Sequence, residues 1–271
     1  ISDELGQRVL LAVGANTTQP LAQLRAGAAG KGAAPAKSAT ALAGLWVGNV
    51  EITAVSEAQR AGTEPRPVLR PFAQRMILHV DAGGSVRLLK DVIQMWQDGS
   101  YRPSSINPNF REVDQPGRHV LITEPGLIPL YTGPSNRDGQ PVGLRVSTVA
   151  YDFVGTSLEL NGDFGPGGQV SGSLVLPSDL PTNPFLHRYH PDHDNLDPQF
   201  LNRVDEAYQV VRNLRFDFVA EDPSGTNPPG WGDRVVGGTF SESISGLHKN
   251  PIFLAGRFRF ERISAVSTLN Q

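Results

Sequence analysis

Cysteine is absent from all 271 residues. That excludes disulfides, thiolate nucleophiles and cysteine-ligated zinc or iron–sulfur centres. A chain of this length can bury a sizeable core without cross-links, so the lack of cysteine does not argue against export. Lysine is scarce: Lys31, Lys37, Lys90 and Lys249 are four of 24 basic residues. The arginines that dominate instead are scattered among carboxylates, and the net charge is −3 with a pI near 6.1. No basic stripe marks a nucleic-acid surface, so no nucleic-acid partner is expected. The arginine bias fits a GC-rich coding sequence or planar, bidentate surface pairing. No apolar run approaches the roughly 18 residues of a helical membrane span, so none is expected. The chain opens on Ile1 rather than methionine, which fits a processed, exported protein.

What the sequence has in plenty is turn chemistry and alternation. Glycine (29) and proline (22) make up about 19% of the chain, against roughly 12% in average usage. Trp46-Val47-Gly48-Asn49-Val50-Glu51-Ile52 and Phe253 to Phe260 alternate apolar with polar residues, the mark of antiparallel strands with one face in a core. Leu214, Phe216 and Phe218 share one face, with Arg215 and Asp217 on the other. Such period-two runs do not fit a helix. Strands are expected over 44–55, 71–81, 85–96, 118–124, 127–131, 144–153, 157–163, 168–175, 208–220, 233–245 and 252–263. Asp81-Ala82-Gly83-Gly84-Ser85 and Gly165-Pro166-Gly167-Gly168 each read as hairpin turns.

The expected fold is all-β: an antiparallel β-sandwich or β-barrel of about ten strands, with long loops and one short helix near Asp197-Pro198. Residues 1–43 read as an N-terminal arm with an Ala/Gly-rich linker, and 44–271 as the all-β domain. The arm's apolar run, Arg8 to Val13, is either the remnant of a preceding domain or a strand donated to a neighbouring sheet edge. The longest expected connections are 56–70, 97–117, 132–143 and 176–207, lengths at which loops usually carry interactions.

The densest cluster of potential ligands lies in the last of these. His187, His190, Asp192, His193 and Asp194 sit on a stretch that Pro191 and Pro198 keep from being one helix. Imidazoles with carboxylates suit zinc, and closely spaced carboxylates suit calcium. The same residues also suit a loop stitched together by side-chain-to-backbone hydrogen bonds. His248, in the turn before the last strand, is expected to be exposed, and His79 half-buried and hydrogen-bonded. No Gly-x-Ser-x-Gly elbow and no P-loop is present, and no catalytic residue is assigned. Trp231, Trp96 and Tyr101 occupy strand ends and loops, where they could stack a sugar, and Trp231 is the best single candidate. Trp46 is expected to plug the core or a barrel end.

Gly44-Leu45-Trp46-Val47-Gly48, Arg75 to Asp81, Asn183 to Asn195 and Ser245 to Ile252 together resemble a β-rich segment found in large, exported, multidomain bacterial surface proteins with laminin-G-like modules. That resemblance spans about residues 44–263 and implies export and a modular surface context, but no activity. The Gly-x-Trp of the first strand also resembles a lipocalin opening, although the long loops and extra strands depart from that pattern. The function expected is a non-enzymatic extracellular or cell-surface module, a structural or interaction unit such as a subunit of a surface fibre joined through its N-terminal arm. Its partners would be other copies, neighbouring surface-protein domains or polysaccharide. A carbohydrate-binding module with a loop calcium or zinc, and a metal-dependent hydrolase using His187, His190 and His193, are the alternatives.

Overall fold

The computed structural model describes residues 39–148, 151–184, 209–223, 225–226 and 228–270. It is all-β, and of the two expected architectures it is the closed barrel. A four-residue helix, α1 (Ala39–Leu42), leads into β1 (Gly44–Val55), β2 (Arg66–Val80) and β3 (Val86–Leu89). After an excursion described below, the barrel resumes with β11 (Ser157–Gly162), β12 (Gln169–Leu176), β13 (Val210–Phe218), β14 (Val235–Ser245) and β15 (Ile252–Ser264). Every barrel strand is antiparallel to its neighbours, and β15 returns to pair with β1 from Leu45↔Ser264 to Val55↔Leu254. Both expected hairpin turns join adjacent strands, β2 to β3 and β11 to β12. At the first, Asp81 Oδ1 accepts hydrogen bonds from the N–H groups of Gly83 and Ser85 at 2.8 and 2.9 Å. Gly84 there takes φ +94°, which a residue with a Cβ rarely adopts.

An eight-stranded barrel is just wide enough for its own side chains to fill it, and here they do. Phe216 is fully buried and meets Phe240, Phe258 and Phe260 at ring-centroid distances of 5.1, 5.3 and 5.9 Å. One end is stoppered by Trp46, whose indole N–H donates to the Leu42 carbonyl at 2.9 Å and whose ring packs on Phe164. Arg262, from the end of β15, lies over that indole at 5.8 Å and donates to the Ala41 carbonyl. The ordered barrel therefore begins upstream of Gly44, with Leu42 inside the core.

Between β3 and β11 the chain leaves the barrel and builds a second structure. Here lie β4 (Asp91–Gln97), β5 (Ser100–Pro103), β6 (Arg111–Gln115), β7 (Arg118–Ile122) and a 3-10 helix, η1 (Pro125–Leu130). They are followed by β8 (Ser135–Arg137), β9 (Gln140–Val142) and β10 (Leu144–Ser147). Strands β10, β4 and β7 form a small sheet, while β5–β6 and β8–β9 are separate hairpins. One face of the small sheet, with Val92, Leu121 and Val146, packs on Leu45, Ile77 and Leu89 of the outer barrel wall. Met95, Val120 and Ile122 on the other face are covered by Leu127 and Ile128 of η1 and by Tyr131.

Several expectations are corrected here. The strand expected over 127–131 is instead η1, where Pro125 and Pro129 withhold the N–H groups a ladder would need. The single strand expected over 85–96 breaks at Lys90, where the chain turns off the barrel. The segments 97–117 and 132–143, expected as loops, carry β5–β6 and β8–β9. Two short helices that were not expected, α1 and η1, are described. The helix expected near Asp197-Pro198 and the arm through residue 38 lie outside the described residues.

Lys90 marks the seam between the two structures. Its carbonyl accepts from the Thr148 N–H at 2.9 Å, and its ammonium donates to Asp152 and to the Phe153 carbonyl at 3.1 and 2.8 Å. Exit and return of the excursion are thus tied at one point. His79 secures the C-terminal segment in a similar way. It is more buried than expected, and its Nε2–H donates to the Val266 carbonyl at 3.1 Å. Burial lowers its pKa below the ordinary 6.5, an effect that the Val266 carbonyl and the Asp81 charge only partly offset. Because the folded protein disfavours the imidazolium, the unfolded chain binds a proton first as pH falls. Stability should therefore be full above pH 6.5 and decline as the pH drops below it. Urea denaturation midpoints between pH 8 and 5 should show this decline, and His79→Gln should remove that part of it.

Candidate functional site

The residues singled out in the sequence do not form one site. His187, His190, Asp192, His193 and Asp194 lie outside the described residues. Among the described residues no group of three or more His, Asp or Glu side chains is placed to hold a metal ion. His248 sits exposed between β14 and β15, as expected of a turn residue. Trp231 belongs to the β13–β14 connection, where its indole N–H donates to the Ala220 carbonyl at 3.0 Å. That hydrogen bond ties the tryptophan into its own turn. Tyr101 is 63% exposed on β5, directly across from Val113 of β6, which is 58% exposed.

Trp96 lines a cleft. The face of the small sheet that meets the barrel continues beyond the contact. The row of Val92 and Val146 is covered, the next row outward runs Leu144, Gln94 and the still-buried Leu121, and the last holds Trp96 beside His119. Gln94, Trp96, His119, Thr132, Pro134 and Leu144 are among the residues that enclose a cleft of about 270 Å³. The His119 ring stands edge-on to the indole, with centroids 4.9 Å apart at an interplanar angle of 74°. Gln94 Nε2 approaches His119 Nδ1 at 3.4 Å. The indole is seated against Gly117, where a Cβ would come within 2.4 Å of Cζ2. Only glycine lets the ring lie there. His119, which carried no weight in the sequence, becomes a wall of this site because β4 and β7 pair in the register Trp96↔His119.

A second polar constellation lies inside the barrel, at the end remote from Trp46. Glu242 is buried on β14, and both its oxygens are taken by the guanidinium of Arg212 from β13, with Nη2 to Oε2 at 3.1 Å. Tyr151, from the segment returning out of the excursion, donates its hydroxyl to Glu242 Oε2 at 3.2 Å while its ring lies 4.1 Å from the guanidinium. Desolvation, reinforced by the Glu242 charge, pushes the Tyr151 phenol well above its ordinary range. Burial works to lower the Arg212 pKa, and the Glu242 carboxylate that accepts its hydrogen bonds works to raise it. The group is mutually satisfied: it closes this end of the barrel by holding Tyr151 in place. Its sequence signal was the phase of β13, since Arg212 falls on the apolar face of Leu214, Phe216 and Phe218 rather than with Arg215.

Lipocalin-type barrels keep an interior cavity for a small ligand. Here the axis is occupied by the phenylalanine cluster and the Arg212–Glu242–Tyr151 group. No protein-family model matches the chain, and no curated protein matches it in sequence. Removing one member of a buried ion pair leaves the other uncompensated, at a typical cost of about 3–5 kcal/mol. Glu242→Gln should therefore lower the unfolding free energy by roughly that amount, read from chemical denaturation. The apolar triple substitution Arg212→Met, Glu242→Leu and Tyr151→Phe, which leaves no member of the group unpaired, should recover most of the loss.

Proposed function

We propose that this protein is a non-enzymatic extracellular interaction module, in which the barrel is the scaffold and the excursion between β3 and β11 is the contact surface. One observation supports this most. Of the fourteen large apolar side chains exposed among the described residues, eight lie between Trp96 and Leu144. Four of them decorate the β5–β6 hairpin and its tip: Tyr101, Ile106 at 91% exposure, Phe110 at 66% and Val113.

Among the described residues that hairpin pairs with no third strand, and an isolated two-stranded hairpin is marginal in water. Its backbone is nonetheless ordered by local side chains. Ser104 Oγ accepts from the Ile106 N–H and donates to Glu112, and Asn107 Oδ1 accepts from the Asn109 N–H. A preformed projection bearing bare apolar side chains is a device for docking. The favoured partner is another copy of the chain or a neighbouring domain of the same surface assembly, which fits a structural subunit better than a catalyst.

Sedimentation velocity over a concentration series tests the self-association arm of this reading. The full chain should associate reversibly, and Ile106→Asp combined with Phe110→Asp should weaken that association by about tenfold or more, about 1.4 kcal/mol per tenfold. Wild type and variant that sediment identically, whether as monomer or oligomer, contradict it.

A further inference from the structure

We infer that the cleft beside Trp96 binds one pyranose ring of a neutral carbohydrate, stacked on the indole and hydrogen-bonded by Gln94 and His119. The inference goes beyond the docking role of the β5–β6 hairpin and stands on different residues. Trp96 is 37% exposed, and it faces a recess rather than open solvent. The face of an aromatic ring carries negative quadrupole charge, which attracts the polarised C–H groups on one face of a sugar ring.

The lining settles the charge of the ligand. Among the described residues no Asp, Glu, Lys or Arg borders the cleft, so a phosphate or carboxylate would find no counter-charge there and would lose its hydration for nothing. At about 270 Å³ the cleft falls just below the roughly 300–1,000 Å³ typical of sites for drug-sized molecules. It suits one sugar unit rather than a nucleotide or a lipid chain.

Polar groups of opposite kind lie side by side on the floor. With Gln94 Nε2 donating to His119 Nδ1, the proton of a neutral His119 sits on Nε2, which becomes a donor, and Gln94 Oε1 is an acceptor. A donor and an acceptor held together beside an aromatic plane match adjacent hydroxyls on a ring. Thr132 contributes less, because its hydroxyl is already donated to Asp98 at 2.6 Å. The cleft is open on one side, so a chain-end or mid-chain residue of a polysaccharide can enter without threading.

The test is a titration of the full chain with the methyl glycosides of glucose, galactose, mannose, xylose and N-acetylglucosamine and with soluble polysaccharides built from them. It is followed through the indole N–H resonance of Trp96. At least one neutral sugar should shift that resonance saturably, together with amides of Gln94 and His119. Trp96→Ala should weaken binding about tenfold or more, Trp96→Phe should retain part of it, and Trp231→Ala should leave it unchanged. Gln94→Leu, close to isosteric, should also weaken binding, and it serves as the second variant if Trp96→Ala unfolds. No shift with any member of the panel overturns the inference, as does binding that survives both Trp96→Ala and Gln94→Leu. A saturable shift with a proline-rich or apolar peptide in place of every sugar also overturns it. None of these outcomes bears on the sedimentation of the Ile106/Phe110 variant, so the two readings fail separately.

Discussion

Pairing of β1 with β15 joins the first strand of the sheet to the last, with Leu45 opposite Ser264 and Val55 opposite Leu254. Everything else rests on that ladder. A sheet of this size left open would present two edges of unpaired N–H and C=O groups, an invitation to aggregation. Closure removes them and at the same time fixes which side chains face inward. The same ladder brings Arg262 over Trp46, so the stopper at one end of the barrel depends on the register in which the two terminal strands meet.

A filled interior suits the barrel to the scaffold role proposed for it. Phe216 sits at the centre of a phenylalanine cluster, and truncating such a side chain to alanine typically costs about 3–5 kcal/mol. The far end is held differently, by the buried charges of Arg212 and Glu242 and the hydroxyl of Tyr151. A buried ion pair adds little net stability over an apolar replacement. What it supplies here is position, since Tyr151 belongs to the strand-return segment and is drawn to this one place. Lys90, Asp152 and Thr182 secure the same segment from outside, with Thr182 donating to Asp152 at 2.8 Å. Desolvation of the Asp152 carboxyl works to raise its pKa, but hydrogen bonds from Thr182 and Lys90 bring it below the ordinary carboxylate value.

The barrel strands were legible because burial on one face writes period two into them. β1 was found end to end, and the far-apart aromatic runs of β13 and β15 announced the core. The excursion was much less legible. In β5, β6, β8 and β9 nearly every side chain is exposed, so alternation has no burial to reflect. η1 was mistaken for a strand because Leu127, Ile128 and Leu130 are apolar, and the flanking prolines were the better guide. Of the site, Trp96 could be named from sequence, but its partners could not. His119 and Gln94 reach it only through strand register, which no local pattern encodes. Sequence favoured Trp231 over Trp96 as a stacking platform, because nothing local shows that the Trp231 indole N–H is committed to Ala220 while Trp96 lines a cleft.

The molecule divides its labour: closed, densely packed strands supply rigidity, and a structure carried on the outer wall offers apolar and aromatic groups to the surroundings. Hydrogen–deuterium exchange, resolved to individual peptides, tests this division most directly. Amides of β1, β14 and β15 should be the slowest in the chain, opening only with global unfolding, while those of β5 and β6 exchange fast in the isolated protein. Rapid exchange in β1 and β15, or protection of the β5–β6 hairpin equal to theirs, would contradict it.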